Sequence, residues 1–236
     1  MKHRIISNDQ SLVLLDYLEN GDFDKAFISE KNQWVIYEGQ ESVLQLRLPI
    51  TFELDPNGKY LGEGDVNYML LMIRSGIAAI GYFEGGVNLD HKVFRAYMVR
   101  KKQGTSQIKH LKTKGKSRAG SRVRLAETLE FFEDINTRMQ EYFSVHRIDR
   151  IGISCSTTLI PYLFGSKTET PFDKSDPRIL KIPKHVQNPT YEALLEVNEF
   201  LMKGELKSPD AGEVLFDQFV DKITERPDAD VDTDDW

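Results

Sequence analysis

"YMLLMIRSGIAAIGYFEGG", residues 68–86, is the stretch on which the architecture turns. Two apolar runs, 68–73 and 77–83, are separated by Arg74-Ser75-Gly76 and closed by Glu84-Gly85-Gly86, a pattern that predicts a β-hairpin. The first run has no polar break, which predicts a strand covered on both faces. Beyond the hairpin, Val87 to Val99 predicts a longer third strand. From about Ala119 the period changes: Leu125, Leu129, Phe132, Ile135, Met139 and Tyr142 recur at steps of three or four and line one face of a helix. "RIGISCS" (150–156) then predicts a buried strand, "TTLIPYLFG" a short helix stopped by Gly165, and "RILKIP" (178–183) another strand. Asn188 as cap and Pro189 as first residue predict a helix to Lys203, ahead of Gly204, and a last helix near Gly212 to Thr224 precedes the acidic "RPDADVDTDDW". An antiparallel meander followed by alternating strands and helices predicts an α/β fold with a mixed β-sheet flanked by helices.

Toward the N-terminus, Ser11 is placed to cap a short helix through Leu18, and "QWVIYEG" with "SVLQLRLPITFEL" predicts two strands. "DPNGKYLGEGD" (55–65) concentrates turn formers and predicts a boundary. The expected organisation is a small N-terminal α+β unit (1–62), an α/β domain (63–206) carrying a basic loop over 100–121, and a C-terminal helix with an acidic tail (207–236).

With 236 residues and 40% hydrophobic content the chain has enough apolar material for a sizeable core. No stretch of about 18 apolar residues exists, and Met-Lys-His-Arg leads into polar residues rather than the apolar core of a signal peptide, so a cytoplasmic protein without membrane contact is expected. The single cysteine, Cys155, excludes an internal disulfide and reads as a strand residue rather than a nucleophile. One cysteine and five scattered histidines give no metal-ligand spacing, and neither metal nor cofactor is expected.

The charge distribution is more telling than the net −6. Residues 91–124 hold 12 cations and no anion, while the other 19 Lys and Arg share the rest of the chain with all 37 acids. Clustered cations attract a polyanion through phosphate contacts and counterion release, and an acidic remainder discourages binding elsewhere. A solvated surface loop carries such a run as well. Here the run includes Lys92, Arg100, Lys101, Lys102, Lys109, Lys112, Lys114, Lys116, Arg118, Arg122 and Arg124, the candidate RNA-binding residues. The last of them fall in the first turns of a helix, where the dipole favours anions, which suits an external anion completing the site.

Within this run sits Gln107, flanked by Gly104, Thr105 and Ser106, small residues that let backbone approach a ligand. A glutamine amide is neutral and cannot serve as a general base, so its work is positional: orienting a water or a ribose 2′-hydroxyl, or donating to charge that develops on oxygen. His110, three residues on, is the better acid/base candidate. His91 beside Lys92 reads equally as a base or as a structural or phosphate-facing residue; Phe94 and Tyr97 read as core or as surfaces for a base.

The run "YMLLMIRSGIAAIGYFEGG…HKVFRAYMVRKKQGTSQ…KGKSRAGSRVRLAE" resembles the release-factor-like domain of the Vms/ANKZF family, which acts on peptidyl-tRNA in ribosome-associated quality control. The similarity covers roughly residues 66–145, including His91-Lys92, the Lys102-Gln103-Gly104-Thr105-Ser106-Gln107 loop and Ser117, Ala119, Gly120 and Ser121 before the helix. The family is related to the central domain of the eukaryotic and archaeal peptide-release factor, whose loop carries Gly-Gly-Gln. The resemblance implies that Gln107 takes the position of the catalytic glutamine. It also implies that the substrate is peptidyl-tRNA on a stalled large ribosomal subunit, and that the fold is that of the release-factor central domain. In the eukaryotic relatives the cut is understood to fall in the tRNA acceptor end, ahead of the terminal CCA; the residues here suit that cut and ester hydrolysis alike. The loop reads Gly-Thr-Ser-Gln in place of Gly-Gly-Gln, with less backbone freedom at two positions. A non-catalytic ribosome- or tRNA-binding module built on the same loop is the alternative, and a general RNase a third.

Overall fold

The computed structural model describes residues 1–62, 64–96 and 116–224, with backbone alone over 116–127. The hairpin forms as its sequence predicts: β7 (Asn67–Arg74) and β8 (Ile77–Glu84) pair antiparallel, and β9 (Val87–Arg95) pairs antiparallel with β8. The tight turn requires Gly76, whose φ of 77° lies in the left-handed region. After α2 (Lys116–Val145), β10 (Arg150–Cys155) joins β7 in parallel, and after α3 (Ile160–Phe164), β11 (Ile179–Lys181) joins β10 in parallel. The order β11-β10-β7-β8-β9 makes the mixed sheet of an α/β fold.

Met69, Leu71 and Ile73 on one face of β7 pack with Phe132, Ile135, Met139 and Tyr142 of α2, all fully buried. On the other face Tyr68 stacks on Phe83 with ring centroids 5.2 Å apart. There α4 (Tyr191–Leu201) lies close at Gly81, where a Cβ would stand 2.6 Å from Leu194 Cδ2. β7 is therefore apolar from Tyr68 to Ile73 because it is central and packed on both faces.

The second sheet is antiparallel. It is built from β1 (Lys2–Ile6), β2 (Lys25–Ile28), β3 (Gln33–Glu38), β4 (Glu41–Arg47) and β12 (Gly204–Ser208) in the order β1-β12-β4-β3-β2. Its core gathers Ile6, Leu44, Leu46 and Leu206 with Leu14 and Leu18 of α1 (Asn8–Asn20) and Phe216 and Phe219 of α5 (Glu213–Thr224). A short pair, β5 (Glu53–Leu54) and β6 (Tyr60–Gly62), follows β4. Buried Arg47 meets buried Glu205 at 3.3 Å, and the same carboxylate accepts from His3 and Lys207.

Two compact units result: Met1–Gly64 together with the chain from Glu199 onward, and Asp65–Asn198, the division falling inside α4. β12, which the sequence assigns to 63–206, is hydrogen-bonded between β1 and β4. Three predicted boundaries move. Ser7, not Ser11, caps α1: Ser7 and Gln10 form a reciprocal capping box, and Ser11 is buried inside the helix with its hydroxyl donating to the Ser7 carbonyl. α4 starts at Tyr191 rather than Pro189, with Thr190 Oγ1 accepting from the Ala193 N–H. α2 begins at Lys116, so the last residues of the expected 100–121 loop are helical, and its Leu129 is exposed rather than core, replaced there by Phe131.

Candidate functional site

β7, β10 and β11 run in one direction, and β9, two antiparallel steps from β7, shares it. Their carboxyl ends lie along one edge of the sheet, the edge at which open α/β sheets place ligands. The basic segment departs there. The Ala96 N–H donates to the Gly76 carbonyl at 2.9 Å, fixing the end of β9 to the β7–β8 turn, and the chain re-enters the described structure at Lys116. Gln107, His110, Gly104, Thr105, Ser106, Arg100, Lys101, Lys102, Lys109, Lys112 and Lys114 lie outside the described residues, as does Tyr97.

Lys116, Arg118, Arg122 and Arg124 fall in α2, which has no acidic residue in its first turn. The unpaired N–H groups of a helix start carry partial positive charge, so cations placed there reinforce the attraction for an anion. Lys92 is exposed on β9 with Nζ 5.0 Å from the Phe94 ring centroid, and Phe94 is core rather than a free stacking surface. The His91 ring stacks on Tyr191 of α4 at 3.6 Å and 14°.

β9 and the body of α2 are held to each other. Asp90 of β9 pairs with Arg138 of α2, whose guanidinium also meets Glu141 at 2.6 Å. The bond to Glu141 raises the Arg138 pKa further, so the clasp stays charged. At the carboxyl edge, buried Asn136 of α2 donates to the Leu163 carbonyl at 2.9 Å and the Thr168 carbonyl at 2.7 Å. This clasp holds α3 and the following loop, and the signal was in the sequence, since Asn136 lies four residues after Phe132 and three before Met139, on the apolar face of α2. Burial pushes the Cys155 thiol up to about 11, with nearby Arg74 only partly opposing, so it is a thiol rather than a nucleophilic thiolate near neutral pH.

The opposite edge has the opposite character. Asp149 pairs there with Arg147 at 3.1 Å, Asp176 with Arg178 at 2.7 Å, and the Tyr82 hydroxyl donates to Glu84 at 2.8 Å. These three acids are each matched within the fold. Among the described residues no three His, Cys, Asp or Glu side chains group to hold a metal, and no helix is long and apolar enough to cross a membrane.

A family model described as the Bacteroidetes VLRF1 release factor matches residues 68–208. The chain is 25% identical over 138 residues to the tRNA endonuclease ANKZF1 of Bos taurus, covering 57% of this chain and 19% of that protein. It is 25% identical over 139 residues to the tRNA endonuclease ANKZF1 of Homo sapiens, with 57% and 19% covered. The chain thus spans about a fifth of the length of these curated relatives. Against the solved Vms1 mitochondrial localization core the TM-score is 0.40 at 15% identity, with 87% of this chain and 85% of that chain covered.

Proposed function

The chain belongs to the Bacteroidetes VLRF1 release-factor family, and on that premise we propose that it cleaves peptidyl-tRNA on stalled large ribosomal subunits in the cytoplasm, releasing the nascent chain without a metal or cofactor. The observation that carries this reading is that the family match spans the cation-rich segment and Gln107, and that β9, which leads into this segment, ends at the carboxyl edge of the sheet.

Gln107 orients the attacking group through its amide, which has both an acceptor oxygen and donor N–H groups and exchanges no proton. For a cut in the tRNA acceptor end the attacking group is the ribose 2′-hydroxyl, aligned with its phosphate. As His110 takes the proton from that hydroxyl, its oxygen bonds to phosphorus, the phosphorus bond to the 5′-oxygen of the next nucleotide breaks to leave a 2′,3′-cyclic phosphate, and the departing oxygen takes up a proton from water, while Lys101, Lys102, Lys109, Arg118, Arg122 and Arg124 stabilise the added charge on the phosphorus oxygens. The relatives' name, tRNA endonuclease, favours this bond over the peptidyl ester.

The test is incubation of the purified protein with peptidyl-tRNA on isolated large subunits, resolving both the peptide and the tRNA 3′ end. Release of peptide that retains a few nucleotides, lost with Gln107→Ala, is expected. Free peptide with intact tRNA would reassign the scissile bond to the ester, and salt-sensitive binding without release would leave a docking module in place of an enzyme.

A further inference from the structure

The strand register places two arginines at the root of the basic segment in one line. Arg74, the last residue of β7, pairs with Ile77 of β8, and Ile77 pairs with Arg95, the last residue of β9. Directly paired residues of antiparallel strands share a face, so Arg74 and Arg95 leave the same face with backbones two strand spacings, about 10 Å, apart, and the Arg74 guanidinium leans toward β10. It is the face that carries Tyr68 and Gly81 and is opposite α2.

Neither arginine forms an ion pair with a carboxylate among the described residues. Half-buried Arg74 is aimed by neutral partners: Nη1 donates to the carbonyls of Ile73 at 2.8 Å and Ser154 at 3.2 Å, and Nη2 to the Ser154 hydroxyl at 3.2 Å. Arg95 is exposed. The acids noted at the far edge have their own partners, whereas these two charges have no carboxylate partner among the described residues. A guanidinium held by carbonyls keeps its full charge and has N–H groups to spare, which suits an anion with several oxygens.

We propose that Arg74 and Arg95 form a phosphate clamp that grips the backbone of the RNA entering the site, separate from the cations of residues 100–124. The inference rests on the RNA-cleaving reading. Its ligand chemistry is the phosphodiester, which transfer RNA and ribosomal RNA both present. The clamp positions the strand and takes no part in the proton transfers.

The test uses the full chain and measures affinity against salt for a tRNA acceptor-stem RNA and, in a second arm, for isolated large subunits. Arg95→Gln and Arg74→Gln should each make the log K against log salt slope shallower by about 0.7–0.9, the loss of one phosphate contact. Because Arg74 also holds two carbonyls, Ser75→Asp serves beside it: an acid at this exposed turn position neutralises the clamp without removing those bonds. A shallower slope with the acceptor stem assigns the clamp to tRNA, and one seen only with subunits assigns it to ribosomal RNA. Unchanged slopes for Arg95→Gln and Ser75→Asp, with wild-type binding intact, would overturn the clamp and leave the RNA-cleaving reading standing. Absence of salt-dependent RNA binding by the wild type would overturn both.

Discussion

The phenol of Tyr68 donates to Oδ1 of Asn198, and Nδ2 of the same asparagine donates to the Gly86 carbonyl at 2.9 Å. Both side chains are buried, and burial raises the Tyr68 pKa above its ordinary value, so the hydroxyl stays a donor. One amide thus ties α4 to both ends of the β7–β8 hairpin system, on which the basic segment is mounted.

Asn198→Ala leaves a buried hydroxyl and a carbonyl without partners, and should destabilise the fold by about 2–3 kcal/mol. Tyr68→Phe removes only the donor and should cost about 1 kcal/mol. Urea unfolding of both single variants and the double variant checks this. Coupling near zero would show that the bond contributes nothing.

Glu205 sets the acid limit of the antiparallel sheet. Burial pushes its carboxyl up, but Lys207, Arg47 and His3 together outweigh that and hold it below the ordinary value. A depressed carboxyl contributes stability that is present above the unfolded pKa of about 4.3 and is lost as pH falls through the folded value. Thermal melts should therefore weaken below about pH 4.5 in the wild type. Glu205→Gln should be destabilised by about 3 kcal/mol at pH 7, because Arg47 is left buried and uncompensated. An unchanged melt at neutral pH would count against this network.

At the alkaline limit the sign reverses. Burial raises Cys155 to about 11, and raises Tyr82 and Tyr142 to about 12, the last two also feeling Glu84 and Asp90 respectively. Between the unfolded and folded pKa values the unfolded chain has released protons that the native protein still holds, so stability falls as pH rises from about 8.5. Thiol labelling should follow: slow for the native protein at pH 8, fast in denaturant. Rapid native labelling would contradict the half-buried thiol with its raised pKa.

In the basic segment, charge and chemistry should separate. Gln107→Ala should lower release by at least about 100-fold, the scale of losing one preorganised polar contact to a transition state, with RNA affinity changed less than about 2-fold. Reversing Lys101 and Lys102 to Glu should weaken binding and flatten its salt dependence. Single-turnover release and filter binding distinguish the two. A Gln107→Ala variant with full activity would move the chemistry elsewhere.

The hairpin, the third strand, the long helix and the buried β10 are legible because their apolar periods are local and agree with their packing. β12 is not. "GELKS" alternates poorly in sequence, and its partners β1 and β4 come from the far end of the chain, so no local pattern announces the pairing. The α1 start was readable from Ser7 and Gln10, a capping box four residues ahead of the serine favoured by the hydrophobic pattern alone. The cation excess at the site is visible from composition. The line through Arg74, Ile77 and Arg95 is not, because register is a property of paired strands rather than of either strand alone.

The position of β12 between β1 and β4 also sets an order in time. Every strand of the mixed sheet comes from the uninterrupted stretch 65–198, so that sheet has all its material once the chain has passed α4. β1, made before the other strands of its sheet, has its ladder partner in Lys2↔Ser208 and must wait until β12 is synthesised. Closing so long a loop is entropically costly and slow. A nascent chain halted before Gly204 therefore has one sheet able to close and another with β1 and β4 exposed as open edges. Its own biogenesis therefore depends on translation running on past β12.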